Sequence, residues 1–539
     1  KIRKDIKKGI KKNKIKEIPN RKKAIHEAIM NLDTGELLLV AGKGHEKNQD
    51  YGKRKLFFSD QEEILKSIKL KNKYLSKNLK LNIIKEESKS EISNNLIIKN
   101  ISINSRTIQK NDVFFAIKGK KIDGNRFVAE VFKKKSSFAI VNRINKDYPL
   151  SKQVKVKNSL SFLTKCSAIF RKNINAKIIS ITGSCGKTTL KDMIALILKK
   201  ISRTTHSPKS FNNKYGVPLS LFNLKQNDNF GVFEVGMDKK GEIDNLTKII
   251  KPDLGIITNI SYAHSKNFKN IDKIADAKAE IMNNIKKNGT MVLNKDDHYF
   301  NYHKNFALKK KLKVISFGIK NKTSMIKLVN VKKVKNKYEL FINVDGLSVS
   351  FYSNNSNKSN IYNILATLAS INLYIDIKDL KKNIFLNFKT PIGRGDISKI
   401  RLKDKRFFLV DETYNSNPLS LKTAIENYDK IESKNSKKYL ILGDMLELGK
   451  HSLKQHRLIS KIVNKTKINQ VYVIGKYIKE TFKGLKINKK GQILKNKTDI
   501  IDLINTNLKN NDYLMIKGSN STGLNKITSN LKQRSSHAV

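Results

Sequence analysis

Residues 178–200 read IISITGSCGKTTLKDMIALILKK, and this stretch constrains the fold more than any other. An apolar β-branched run predicts a buried strand, and the pattern after the turn predicts an amphipathic helix. Only a short glycine turn separates them, so the strand feeds the helix directly, as in a parallel α/β sheet. Backbone N–H groups in such a turn, together with the helix N-terminus, form a cradle for phosphate. The usual phosphate loop is G-x-x-x-x-G-K-[ST]. Here only two residues separate Gly183 from Gly186.

The same architecture is expected on both sides of the loop. The runs IISIT, GVFEVG, LGIITNI and MVLN alternate with helical patterns, as do FFLVDE, YLILGD, QVYVIG and DYLMIKG further on. The later strands end in small or acidic residues, where open α/β sheets place their ligands. KYELFINVDGLSVSFYS predicts a β-hairpin about Asp345-Gly346. Residues 97–150 carry short strands, DVFFAIKG being the clearest. Near the start, GELLLVAGKG (35–44) predicts a buried strand ending in a glycine turn, and SDQEEILKSIKL a helix capped by Ser59. The polar stretch KNKYLSKNLKLNIIKEESKSEISNN that follows reads as a linker and the entry to a new domain. LLLVAGKG resembles YLMIKGSNSTG (513–523), which suggests two copies of one domain type. The expected division is 1–75, a linker at 76–96, then 97–172, 173–390 and 391–539, an α/β multidomain chain.

Composition narrows the function. A chain of 539 residues exceeds one core. The formal charge of +64 would suit nucleic acid, but only 13 of the 110 basic residues are arginine and the lysines are spread throughout. Biased codon usage explains them better than a polyanion site, so no specific nucleic-acid partner is expected. No run of 18 apolar residues predicts a membrane span. Two cysteines, Cys166 and Cys185, allow neither a disulfide framework nor a cysteine zinc site, which fits a reducing cytoplasm. The chain opens on Lys1 rather than methionine, so its start reads as a cut end.

Within the loop, Lys187 can neutralise β- and γ-phosphates, and the Thr188 hydroxyl can take a Mg²⁺ position. Glu234 ends the strand after the loop helix, a place for a metal carboxylate. His264 follows LGIITNIS at the ligand edge of the sheet. Lys278, in IADAKAEIM, reads from the residues alone as a surface lysine.

Taken together, TGSCGKTT, FNNKYGVPLSLFNL, FEVGMDKKGEI, TNISYAHSKNF, AKAEI, VDETYNSNPLSLKTAI and LGDMLELGKHSLKQH resemble the Mur ligase family. The branch they match is the UDP-N-acetylmuramoyl-tripeptide–D-alanyl-D-alanine ligases (MurF), over about residues 81–539. The short loop is the form shared by Mur ligases and folylpolyglutamate synthases. The resemblance implies a UDP-binding N-terminal domain, a central ATPase domain and a Rossmann-like C-terminal domain. It implies ATP and Mg²⁺, with UDP-N-acetylmuramoyl-tripeptide and D-alanyl-D-alanine as substrates, and a cytoplasmic monomer. Gly183, Ser184, Gly186, Lys187, Thr188 and Thr189 would hold ATP, with Asn360 and Asn363 on the adenine side and Arg394 and Asp411 as an interdomain clamp. Thr188, Glu234 and His264 would bind magnesium. Lys278 falls where many Mur ligases carry a carbamylated lysine, which requires a neutral amine. Ser105 and Arg106 would meet uridine, and Asn212, Asn213, Asn415 and Asn417 the peptide substrates. Three positions depart from the family: Asn104 for Asp, Ser359 for His, and Cys185 for Asn or Ser. Residues 1–75, through NRKKAIHEAI, LLLVAGKGHEKNQ and FFSDQEEI, resemble instead the C-terminal domain of MurE, with Gly42 and Glu46 at positions that hold the far end of its incoming diamino acid. That segment has no ATP loop of its own. Two rival functions stand beside this one: a folylpolyglutamate-synthase-like ligase, and a nucleic-acid-binding phosphate-loop ATPase.

Overall fold

The computed structural model describes residues 17–32, 36–43, 46–50, 55–93, 96, 98–402, 404–433 and 435–536. Contacts divide the chain into two compact units, residues 1–173 with 225–227, and residues 174–224 with 228–539.

The first unit opens with helix Arg21–Asn31, capped by Asn20. Two short strands, β1 (Asn48–Asp50) and β2 (Lys55–Phe57), pair antiparallel. Ser59 then caps a helix of 29 residues, Asp60–Ser88, as its sequence predicts. Asp60, Glu62 and Glu63 in the first turn suit the helix dipole. The expected linker is therefore helical as far as Ser88. Its polar composition hid the reason: Leu81, Ile83 and Ile84 are buried, and the helix packs on helix Ser159–Lys172, where Lys165 pairs with Glu87. The predicted buried strand at 35–44 does not form among the described residues. Leu37 is 99% and Leu39 88% exposed, and no neighbouring strand pairs with them. Gly35 and Gly44 lie outside the described residues.

Four parallel strands complete this unit in sequential order: β3 (Ile101–Ser102), β4 (Val113–Phe115), β5 (Phe138–Val141) and β6 (Gln153–Lys155). β4 and β5 are apolar and buried at every residue, the mark of strands covered on both faces.

The second unit holds two sheets. The first has nine strands: β7 (Lys177–Thr182), β8 (Thr204–His206), β9 (Phe230–Glu234), β10 (Leu254–Ile257), β11 (Thr290–Asn294), β12 (Lys313–Gly318), β13 (Ile326–Val334), β14 (Lys337–Val344) and β15 (Leu347–Ser353). Their order is β15-β14-β13-β12-β11-β10-β7-β9-β8, parallel from β8 to β13 and antiparallel beyond. The predicted hairpin joins β14 to β15. Asp345 (φ 50°) and Gly346 (φ 92°) are both left-handed, as a tight two-residue turn requires. Helices Lys187–Ile201 and Lys358–Ile371 pack on each other over this sheet and share its apolar core.

The second sheet contains β16 (Asp396–Leu402), β17 (Lys405–Glu412), β18 (Lys438–Gly443), β19 (Gln470–Ile474), β20 (Lys490–Ile493) and β21 (Tyr513–Lys517), in the order β16-β17-β21-β18-β19-β20. Only β16 runs antiparallel. The chain winds outward from β18 through β19 to β20, then returns to the other side of β18. That reversal opens a crevice at the carboxyl ends of the strands. Among the described residues no helix is long and apolar enough to cross a membrane.

Candidate active site

The glycine loop sits between β7 and helix Lys187–Ile201, as expected. Gly183 (φ 143°) and Gly186 (φ 83°) take conformations that side chains resist. The segment just past β10 props the loop. Ser184 N donates to Asn259 O (2.9 Å), and Cys185 N to Asn259 Oδ1 (2.9 Å). The Thr258 hydroxyl donates to Cys185 O (2.6 Å), and the Ser184 hydroxyl to Ser261 O (3.0 Å). The helix that follows has no side-chain cap, and Thr189 is half-buried in its first turn.

Two lysines converge on one carbonyl. Lys187 Nζ donates to Gly183 O at 2.8 Å and Lys278 Nζ at 3.1 Å. Lys278 is 2% exposed, so it is not the surface lysine that its helix suggested. Burial, and then the charge of Lys187, push its pKa well below the ordinary lysine value. Burial also lowers Lys187, with Glu234 opposing.

Glu234 ends β9 and is buried. Its two oxygens accept from Thr188 Oγ1 (2.6 Å) and Asn212 Nδ2 (2.7 Å). The Ser210 hydroxyl lies 3.0 Å from Thr188 Oγ1. A buried carboxylate satisfied by neutral groups, beside two hydroxyls, is a hard oxygen donor set that fits Mg²⁺. His264 joins a different group. It has a left-handed backbone (φ 55°), and its Nδ1 lies 3.0 Å from Asp238 Oδ1 and 2.6 Å from Glu447 Oε2. Burial pulls the imidazole pKa down, yet the two carboxylates outweigh it and hold it above the ordinary value. Donor atoms of Asp238, His264 and Glu447 all lie within 4.8 Å of one another. The expected metal set is thus placed in two parts, Thr188 with Glu234, and His264 with two acids.

The strands of the second sheet bring further groups to the loop. Arg394 Nη2 donates to Thr188 Oγ1 (2.9 Å), and its guanidinium stacks on Tyr414 at 4.1 Å. Asn417 caps helix Pro418–Asp429 and faces Ser184 and Cys185. Glu447 and Leu448 accept through their carbonyls from Lys266 N (2.9 Å) and Ser265 Oγ (3.3 Å). Asp411 is turned away, into its own body. It is buried, accepts from the Thr413 hydroxyl and pairs with Lys532, each at 2.6 Å. Asn415 is tied to its neighbours: its side chain accepts from Ser416 N, and its carbonyl from the buried Lys517.

The remaining predicted residues divide likewise. Asn363 is buried, with Oδ1 within 3.3 Å of where a Cβ on Gly186 would stand. Asn360 donates to Ser353 Oγ on β15. Asn213 accepts from Tyr215 N and Gly216 N, fixing the entry to helix Gly216–Leu221. Ser105 and Arg106 belong to the first unit, where Lys134 Nζ donates to both their carbonyls. Asn104 accepts from Arg106 N (3.0 Å), so this departure from Asp keeps the turn's acceptor.

Sequence reasoning missed Thr258, Asn259, Ser210, Asp238, Glu447 and Lys517 as parts of the site. Thr258, Asn259, Asp238 and Glu447 lie inside motifs that carry the family resemblance, so a signal was present.

Three family models match in the order of the chain: "Mur ligase family, catalytic domain" over residues 97–159, "Mur ligase middle domain" over 181–371, and "Mur ligase, glutamate ligase domain" over 400–520. The UDP-N-acetylmuramoyl-tripeptide–D-alanyl-D-alanine ligase of Buchnera aphidicola subsp. Acyrthosiphon pisum is 33% identical over 82% of this chain and 94% of its own length. The same ligase from Rickettsia prowazekii is 31% identical over 81% and 96%. A crystal structure of MurF from Acinetobacter baumannii shares the fold with a TM-score of 0.73 and 25% identity, over 84% of this chain and 98% of that one. In domain order, sequence and fold, the chain belongs to the Mur ligase family, in the branch of the UDP-N-acetylmuramoyl-tripeptide–D-alanyl-D-alanine ligases.

Proposed function

We propose that this chain ligates D-alanyl-D-alanine to UDP-N-acetylmuramoyl-tripeptide at the expense of ATP, in peptidoglycan synthesis, as a cytoplasmic monomer that uses Mg²⁺. The terminal carboxylate of the tripeptide attacks the γ-phosphorus of ATP, ADP leaves, and an acyl phosphate forms. The dipeptide amine then attacks the carbonyl carbon and loses its proton. The tetrahedral intermediate collapses, and inorganic phosphate leaves.

The observation that carries this reading is the approach of the second sheet's residues to the loop: Arg394 reaches Thr188 while Glu447 reaches His264. Such closure shields an acyl phosphate from water. Lys187 and Arg394 supply positive charge beside the transferring phosphoryl group, a role of the kind worth about 10²–10³ in rate. Thr188 and Glu234, with Ser210 beside them, would hold magnesium, which when bound neutralises phosphate charge. Asn212 orients the Glu234 carboxylate for that role. Lys278, whose pKa burial and the Lys187 charge push well down, would be a target for carbamylation. Ser105 and Arg106 would contact the uridine end, and residues 1–75 add no amino acid of their own.

The test is phosphate release from ATP with UDP-N-acetylmuramoyl-tripeptide present. Release that requires D-alanyl-D-alanine, with formation of the pentapeptide product, supports the proposal. Turnover only with a folate and glutamate, or ATP hydrolysis stimulated by nucleic acid, overturns it.

A further inference from the structure

We propose that Asn417 is a positioning residue, a latch through which closure of the second sheet's body sets the conformation of the glycine loop; this rests on the ligase reading above. The Asn417 carboxamide serves two masters. As the cap of helix Pro418–Asp429, its Oδ1 accepts from Ser420 N at 2.9 Å, while the Ser420 hydroxyl accepts from Asn417 N at 3.0 Å. Pro418 fixes the first helical residue. The reciprocal cap holds the amide in one orientation, at the tip of a rigid element. The same amide reaches the loop. Oδ1 also accepts from Cys185 Sγ at 3.1 Å, and Nδ2 donates to Ser184 O at 3.4 Å.

Among the described residues, these two loop residues are held from the other side by Asn259, Ser261 and Thr258. Asn417 is thus the contact by which the second body grips the peptide between Ser184 and Cys185. One residue earlier stands the Gly183 carbonyl, on which Lys187 and Lys278 converge. A rotation of the 184–185 peptide moves the anchor of both lysines. The latch therefore couples closure to the placement of charge beneath the phosphates, without touching a substrate.

The chain carries a reporter for this. Burial raises the pKa of both thiols, but Cys185 is only half-buried, under Asn417, whereas Cys166 is fully buried and its thiol is pushed up to about 12. Alkylation at Cys185 reads whether the latch is engaged, independently of ligation.

The deciding variant is Asn417→Ser in the full chain. Serine is as good a cap as asparagine, so the helix stays, but its side chain is too short to reach the loop. We expect an unchanged melting temperature. We also expect a KM for ATP raised about tenfold, as for loss of these two weak loop contacts together. The Cys185 alkylation rate, measured by mass spectrometry with a non-hydrolysable ATP analogue bound, should rise by a similar factor. Asn417→Asp, which keeps the cap and the acceptor for Cys185 but loses the donor to Ser184, should raise the KM for ATP as Asn417→Ser does. Wild-type alkylation and wild-type KM for ATP in Asn417→Ser overturn the latch. So does a variant whose KM rises only for D-alanyl-D-alanine or the UDP-tripeptide, which makes Asn417 a substrate contact. Because alkylation and analogue binding need no turnover, a failure of the ligase assignment and a failure of the latch give different results.

Discussion

Replacing Gly183 by alanine tests the loop at its tightest point. Its φ of 143° is one that L side chains rarely adopt. A Cβ there would stand 1.9 Å from Thr258 Oγ1 and 3.0 Å from both Thr258 Cβ and Thr258 N. Carbon–oxygen contact needs well over 3 Å, so the loop and the end of β10 must part by more than an ångström. The backbone conformation contributes about 1–2 kcal/mol of strain. Overpacking contributes about 1–3 kcal/mol more. Thr258 cannot rotate away freely, because its hydroxyl is bonded to Cys185 O at 2.6 Å; losing that bond adds about 1 kcal/mol. The sum, about 3–6 kcal/mol, is a large share of a typical folding free energy of about 5–15 kcal/mol. Urea denaturation followed by far-ultraviolet circular dichroism, with an ATP analogue titrated in parallel, measures both consequences. Gly183→Ala should lower the midpoint clearly and lose analogue affinity. Adding Thr258→Gly removes the side-chain clash but leaves the φ, so the double variant should recover about 1–3 kcal/mol relative to additivity. A single variant with wild-type midpoint and affinity would refute the geometry.

Lys187→Ala should fold normally and lose about 10²-fold or more in ligation rate, read by phosphate release; near-normal turnover would remove Lys187 from the chemistry. Lys278→Ala should be nearly inactive and regain part of its rate when short carboxylates are added, whereas a wild-type rate would mean that no carbamylated lysine is needed. His303 is buried, and burial lowers its pKa to about 4. It stays neutral in the fold while the unfolded chain takes up a proton below about 6.5. Stability should therefore fall as pH drops from about 6.5 to 4, by about 3 kcal/mol from this group. His303→Gln should flatten that limb of a urea-midpoint profile, and an unaltered limb would count against it.

How much was legible depended on how local the determinant is. The glycine loop, the strands around it and the Asp345-Gly346 turn follow from neighbouring residues, and all form where expected. The helix to Ser88 was hidden because its lysines and asparagines mask three apolar positions whose partner helix lies some 75 residues on. LLLVAGKG has the residues of a buried strand, but burial requires neighbours that sequence pattern alone cannot supply. Asp411 shows the same limit at the site. Its motif points to a clamp, while its pairing with Lys532 depends on a helix more than a hundred residues away. Lys278 was misjudged from the residues because one lysine among so many carries no mark; only the alanines beside it, now seen to be buried, hinted at a packed face.

The long helix has a practical meaning for spectroscopy. At 1.5 Å per residue its 29 residues extend about 44 Å, and its last turns, at Leu81 to Ile84, are part of the first unit's core. A fluorophore attached at the exposed Gln61 therefore rides on a rod clamped at the far end. Its slow anisotropy decay would follow the tumbling of that unit as a body, whereas a dye on a jointed tail would depolarise within nanoseconds.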